Sequence, residues 1–396
     1  MAVAGTGSRG GLGCVCADAT AISMVSPGTG TVTYRGYPVA ELARRCSYEE
    51  VAYLLWHGEL PTPGQLTAQN RAERAQRALP PALAATLTAL PAAAHPMDIL
   101  RTAVSLLGAC DPDPGDAAAL RLFAVLPAVV ALDHRRRYGL GAVPPRADLS
   151  YAANFLYMTF GKIPEPQIVA AFQTSLILYA EHGYNPSAFT TRITAATCAD
   201  TYSAVTAAIS ALKGPRHGGA AQAIIQMLTD IAIPDNAQPW LTDTLTANHP
   251  IPGFAHHACP DGDPRVPAMR AALGITAALR GRHDLIETYE TLAAAIYHAK
   301  GLHPTLDYPA APAIHLIGYD TPNITPIIAT ARLPGWTAHI TEQHTTGTLT
   351  RPHTPYNGPP NATSQEKGRA LPLPRTFLRP EIHRAMVTGS DLNYGR

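Results

Sequence analysis

The sequence is short of charge and of aromatic rings: Asp, Glu, Lys and Arg make up 15% of its 396 residues, and Phe, Trp and Tyr 7%. Its 30 Lys+Arg balance 29 Asp+Glu to a net charge of +1, which excludes a global field for nucleic acid or an anionic membrane. Cysteine is scarce. Cys14, Cys16, Cys46, Cys110, Cys198 and Cys259 contain no C-x-x-C pair and read as free thiols in a reducing compartment. No apolar run follows Arg9, so the start lacks a signal-peptide shape. The best apolar run, Leu122 to Leu132, is too short to span a bilayer and contains Pro127. The expectation is a cytoplasmic protein with no membrane segment, in which the N-x-T sequences at Asn323 and Asn361 are chance matches.

What is present is apolar content, proline and helix signals. With 46% hydrophobic residues, a chain of this length supports more than one core-bearing region. The 37 prolines exceed the usual share of about 5% and recur at expected element boundaries, as helix punctuation. Ser47-Tyr-Glu-Glu50 fits a capping box, with Val51, Leu54 and Leu55 behind it at helical spacing. Thr62-Pro63-Gly64-Gln65 repeats the device with proline at the first helical position. Ile168, Phe172, Leu176 and Tyr179 form a stripe, as do Val205, Ile209 and Leu212, which stop at Gly214-Pro215; Ile224, Ile225 and Leu228 resume after Gly219. The clearest strand is Thr31 to Tyr34, after the turn-like Pro27 to Gly30. These patterns predict a mainly α protein with short β pieces near the N-terminus, no internal repeat, and a polar, proline-rich tail at 359–396.

Three local motif matches are set aside. Gly5-Thr-Gly7-Ser-Arg-Gly10 matches G-x-G-x-x-G, but no strand precedes it. His256-His257-Ala258-Cys259 lacks a second ligand cluster at zinc spacing, so no metal is expected. His134 to Arg137 is a short basic run that reads as a solvated helix end before a phosphate clamp.

Three other segments have residue types suited to catalysis. His217 lies in KGPRHGG between two helices. A neutral imidazole there could donate to a developing enolate oxygen, or it could merely cap the turn. Arg265, in Asp263-Pro264-Arg265, stands at the start of a helix, where a cation is disfavoured unless an anion is near; the alternative is pairing with Asp263. Asp307, flanked by Pro304 and Pro309, is either a turn former or cap, or a general base on a rigid segment.

Taken in order, the segments resemble citrate synthase in its bacterial form, which includes 2-methylcitrate synthases. They are TYRGYPVAELARRCSYEEVAYLLWHGELP at 33–61, HPMDILRTAVSLLG at 95–108, ANFLYMTFG at 153–161, AEHGYNPSAFTTR at 180–192, ALKGPRHGGA at 211–220, GFAHHACPDGDPR at 253–265, HPTLDY at 303–308, and ARLPGWTAHITEQ through TRP at 331–352. The resemblance spans about residues 12–358. It implies a helical fold with a large domain (1–218 and 319–358) and a smaller domain (219–318) that closes over the substrates, and a homodimer.

The implied chemistry is condensation of an acyl-CoA, acetyl or propionyl, with oxaloacetate, then thioester hydrolysis. It needs no cofactor, because CoA is part of the substrate. The matching positions make His217 the hydrogen-bond donor to the thioester oxygen, Asp307 the base for the α-proton, and His256 the group polarising the ketone. Arg265, Arg332 and Arg351 would hold carboxylates, Arg351 from the other subunit, with His182 and Asn185 also binding substrate. Fixed guanidinium forks suit dicarboxylates because they bind bidentately. The departures from the family pattern fall at 255–260, where Pro260 replaces a basic residue, and at Tyr308-Pro-Ala-Ala311. By the resemblance, both lie on the thioester side. The competing readings are a divergent paralogue with another acyl thioester or keto acid, and a dimeric binding protein without turnover. The retained histidines, aspartate and arginines speak against the latter.

Overall fold

Helix starts fall where the sequence places its caps. Ser47 Oγ accepts from Glu50 N at 3.2 Å while Ser47 N donates to Glu50 Oε2 at 2.7 Å, and Thr62 and Gln65 repeat the exchange. The computed structural model describes residues 19–26, 30–111, 117–254 and 261–350, so Gly5 to Gly10, His256, Arg351 and the tail lie outside the described residues.

Sixteen α-helices occur among the described residues. They are α1 (Val39–Arg45), α2 (Tyr48–His57), α3 (Pro63–Ala75), α4 (Pro81–Ala89), α5 (Pro96–Ala109), α6 (Ala117–Arg137), α7 (Tyr151–Phe160) and α8 (Pro166–Tyr179). There follow α9 (Pro186–Ala195), α10 (Thr201–Lys213), α11 (Ala220–Ile231), α12 (Ala237–Thr246), α13 (Val266–Leu279), α14 (His283–Lys300), α15 (Asp307–Ile317) and α16 (Thr321–Thr346). The predicted strand at 31–34 is β2 (Thr31–Tyr34), paired antiparallel with β1 (Ser23–Ser26) and β3 (Tyr37–Pro38), with Ser23 opposite Tyr34.

The sheet serves the end of α8. Tyr34 is fully buried, and its Oη donates to the carbonyls of Ile177 (3.1 Å) and Leu178 (3.2 Å) and accepts from Glu181 N at 3.2 Å. That anchors the chain just before His182.

Prolines mark helix starts as expected at Pro63, Pro81, Pro96, Pro166 and Pro186. Pro127, Pro312, Pro326 and Pro334 instead stand inside helices. An internal proline has no N–H, so the carbonyl four residues earlier loses its donor. Tyrosines replace two of these donors. Tyr151 Oη reaches Phe123 O, freed by Pro127, at 3.1 Å. Tyr48 Oη reaches Thr330 O, freed by Pro334, at 3.2 Å and Ala331 O at 2.9 Å. Tyr151→Phe removes only the hydroxyl and strands a buried carbonyl. The expected cost is about 1–3 kcal/mol, seen as a Tm lower by several degrees; an unchanged Tm contradicts this account.

Around the internal Pro127, α6 runs on to Arg137, beyond the apolar run read from sequence. By length and composition it could cross a membrane, yet 78% of its apolar window is buried inside the protein, the position of a core helix. The arginines at its end are half-buried, with Arg136 paired to Asp133 at 2.7 Å and Arg137 to Asp320 at 3.6 Å. Arg135 donates to Gly141 O and Thr159 O, Arg136 Nη1 to Leu90 O at 2.8 Å, and Arg137 Nη1 to Ala94 O at 3.4 Å. They fasten loops onto α6. The first N-x-T asparagine, Asn323, is fully buried.

Candidate active site

Asp307 is the first residue of α15, where the helix dipole favours a carboxylate. Its Oδ1 accepts from Tyr179 Oη at 2.6 Å. Tyr179 ends α8; burial, with the Asp307 charge beside it, holds the phenol protonated well above its usual range. In sequence Tyr179 is the fourth member of an apolar stripe, and only the packing of α8 against α15 reveals its polar end as a partner of Asp307.

The loop that precedes Asp307 is tied to the one that leads to His256. Thr305 N donates to Gly253 O at 2.8 Å, and Phe254 forms an antiparallel bridge with Pro304. Tyr308 stacks on Tyr289 with ring centroids 4.3 Å apart and meets Phe254 at a tilt, 4.6 Å away. Tyr308, Pro309, Ala310 and Ala311 are all buried in the first turn of α15. The departure at 308–311 thus falls on residues that pack into the protein at the start of α15.

His217 sits in the turn between α10 and α11, tightened by Gly218: a Cβ there would stand 2.1 Å from Leu212 O. Its Nε2 lies 2.9 Å from Ser187 Oγ and accepts from Ser187 N at 3.3 Å. Burial, with the charge of Arg332 adding to it, pushes the imidazole pKa down to about 3. The ring is thus neutral at physiological pH. Because Nε2 accepts from a backbone N–H, its proton resides on Nδ1. Ser187 is itself held by Asn185, the N-cap of α9, whose Oδ1 accepts from Ser187 Oγ at 2.7 Å and from the backbone of Ser187 and Ala188. Asn185 therefore acts on His217 through Ser187. Trp336 Nε1 donates to the same hydroxyl at 3.3 Å.

Arg265, the N-cap of α13, spends its fork on Asp263, with Nε to Oδ1 at 2.9 Å and Nη2 to Oδ2 at 2.7 Å. Its Nη2 also lies 3.4 Å from His182 Nε2. Burial alone would lower the guanidinium pKa, and the Asp263 charge and hydrogen bonds more than reverse that. The local pairing weighed from sequence is present, and it leaves Arg265 as a buried cation beside His182.

Arg332, on α16, is different. Its Nε and Nη1 are buried without an acceptor. Burial lowers its pKa, the like charge of Arg265 lowers it further, and Asp307 and Glu181 act against both. A buried guanidinium with two idle N–H groups is costly unless an anion arrives. His182, Arg265, Arg332, Asp307 and His217 thus converge through direct contacts or mutual electrostatic influence. His256 and Arg351 lie outside the described residues.

Sequence reasoning missed Ser187, Tyr179, Trp336, His339 and Glu181. On α16 the signal was available: Arg332, Gly335, Trp336 and His339 fall at i, i+3, i+4 and i+7, one helix face.

The family model for the citrate synthase C-terminal domain matches residues 11–353. The 2-methylcitrate synthase of Mycobacterium tuberculosis is 48% identical over 353 residues, covering 88% of this chain and 90% of the relative. The citrate synthase of Mycolicibacterium smegmatis is 46% identical over 357 residues, covering 88% and 95%. Among solved structures, the ternary complex of carboxymethyl coenzyme A and oxaloacetate with citrate synthase from Thermoplasma acidophilum superposes with a TM-score of 0.83 at 27% identity, covering 87% of this chain and 95% of that one. With that breadth of match in sequence and in fold, the chain belongs to the citrate synthase family.

Proposed function

We propose that this protein condenses acetyl-CoA or propionyl-CoA with oxaloacetate, releasing citrate or 2-methylcitrate and free CoA. The observation that carries the reading is Arg332, whose two buried, unpartnered N–H groups share a site with a carboxylate on a helix N-terminus and a neutral imidazole. The relatives' names and the coenzyme A and oxaloacetate of the Thermoplasma complex supply the substrate classes.

The steps divide among the assigned residues. Asp307 takes the α-proton of the acyl group while His217 Nδ1–H donates to the thioester oxygen; a weak carbon acid needs both at once. The enol carbon attacks the ketone carbon of oxaloacetate, and the ketone oxygen takes a proton from His256. Water then cleaves the thioester to the acid and CoA. Arg332 and Arg265, with His182, hold the oxaloacetate carboxylates, and Arg351 joins them from the second subunit of a homodimer. Asn185 contributes by fixing Ser187 and hence His217. Residues 219–318 act as the smaller domain that closes on 1–218 and 319–358. The free Cys46, Cys110 and Cys198 suit a cytoplasmic enzyme.

The test is thiol release from acetyl-, propionyl- and butyryl-CoA with and without oxaloacetate. The expected result is oxaloacetate-dependent release with acetyl- or propionyl-CoA, and much less with the longer chain. No release from any of them, with oxaloacetate binding intact, contradicts the reading.

A further inference from the structure

We infer that His339 is a positioning residue for the keto-acid half of the site, acting through Glu181 on the loop that carries His182. The inference rests on the function proposed above. His339 is fully buried, two turns beyond Arg332 on the same face of α16. Its Nδ1 stands 3.3 Å from Arg192 Nη1. A guanidinium only donates, so Nδ1 accepts and the ring proton is fixed on Nε2. That proton is donated to Glu181 Oε1 at 3.0 Å.

Glu181 is 2% exposed, and an isolated carboxylate so buried is strongly disfavoured. Burial pushes its pKa up, and His339, Ser23 and Arg332 outweigh this to leave it below the ordinary range. The carboxylate is therefore ionised and held. Ser23 Oγ donates to Glu181 Oε1 at 2.9 Å and accepts from Gly183 N at 3.1 Å. Both neighbours of His182 are thereby pinned, one to α16 and both to β1. The approach depends on Gly335, where a Cβ would stand 2.4 Å from both Ala180 O and Glu181 Oε2. The segment 180–183 is clamped against α16 between Gly335 and His339, and its freedom is the freedom of His182 beside Arg265.

Nothing here places His339 on a reacting atom; its role is to set where His182 stands. The test compares His339→Leu with His339→Gln in the full-length protein. The Gln amide can still donate to Glu181 and accept from Arg192, whereas Leu can do neither. For His339→Leu the expected outcome is an oxaloacetate KM and calorimetric Kd raised roughly 10- to 100-fold, with the acyl-CoA KM within about 2-fold; Gln restores oxaloacetate binding to within about 3-fold. A loss of stability alone would not separate the two substrates in this way. A second readout needs no substrate: amide exchange across 180–185 accelerates at least 10-fold in the Leu variant and not in the Gln variant. If the native protein fails to bind oxaloacetate, the functional reading falls while the exchange comparison still decides the role of His339. Should His339→Leu not fold, Ser23→Ala loosens the other end of the clamp and is expected to raise both exchange and the oxaloacetate Kd by about 3- to 10-fold. Unchanged exchange and unchanged oxaloacetate affinity in the folded variant, or an equal loss for both substrates, overturn the inference.

Discussion

Replacing Asp307 with Asn is expected to lower kcat for oxaloacetate-dependent CoA release by about 10³-fold, within the range of general-base catalysis. The substitution is nearly isosteric. Asn keeps the Oδ1 acceptor that Tyr179 Oη meets at 2.6 Å, so the α8–α15 contact survives and only the proton acceptor is lost. Oxaloacetate affinity should stay within about 3-fold of the native value, since the groups assigned to its carboxylates are untouched. A kcat within 10-fold of native, in a variant of unchanged Tm, would remove Asp307 from the role of base.

The second large effect has two signs. Arg332→Leu should raise the oxaloacetate KM by roughly 10²-fold, the loss of charge-assisted hydrogen bonds worth about 1.5–3 kcal/mol. The same substitution should leave the unliganded protein as stable or more so, by about 1 kcal/mol. The reason lies in the side chain's surroundings: two guanidinium N–H groups are buried without acceptors in the protein, and the like charge of Arg265 is close enough to depress the pKa. A site prepared for an anion stores that cost until the anion binds. Arg332→Lys should recover little, because a point charge cannot reproduce the fork. Parallel thermal melts and oxaloacetate titrations of the two variants check both signs. A lower Tm without ligand, together with an unchanged KM, would make Arg332 a structural cation.

Much of the fold was readable because its signals are local. The capping boxes at Ser47 and Thr62, the strand at 31–34 and the stop at Gly214 each depend on residues a few positions apart. What failed was also local in form. Prolines inside α6 and α16 looked like boundaries, since the compensating donors, Tyr151 and Tyr48, come from other helices. The candidate site was legible as separated segments and as a family resemblance, but its internal wiring was not. Asn185, expected on substrate, also caps α9, with Ser187 between it and His217. Glu181 and His339 are 158 positions apart and meet only when α16 packs on the end of α8. Because α16 is buried nearly all round, its functional face carries no amphipathic contrast to mark it. At 308–311 the changed motif did not reveal in sequence that its side chains pack into the protein at the start of α15.

Product accounting tests the central claim most directly. With acetyl-CoA or propionyl-CoA and oxaloacetate, mass spectrometry of the quenched mixture should show one citrate or 2-methylcitrate for every CoA released, and no release when oxaloacetate is left out. Free CoA appearing with acetate or propionate in place of the tricarboxylic acid would mean that the site cleaves thioesters without forming the carbon–carbon bond, and would contradict the account.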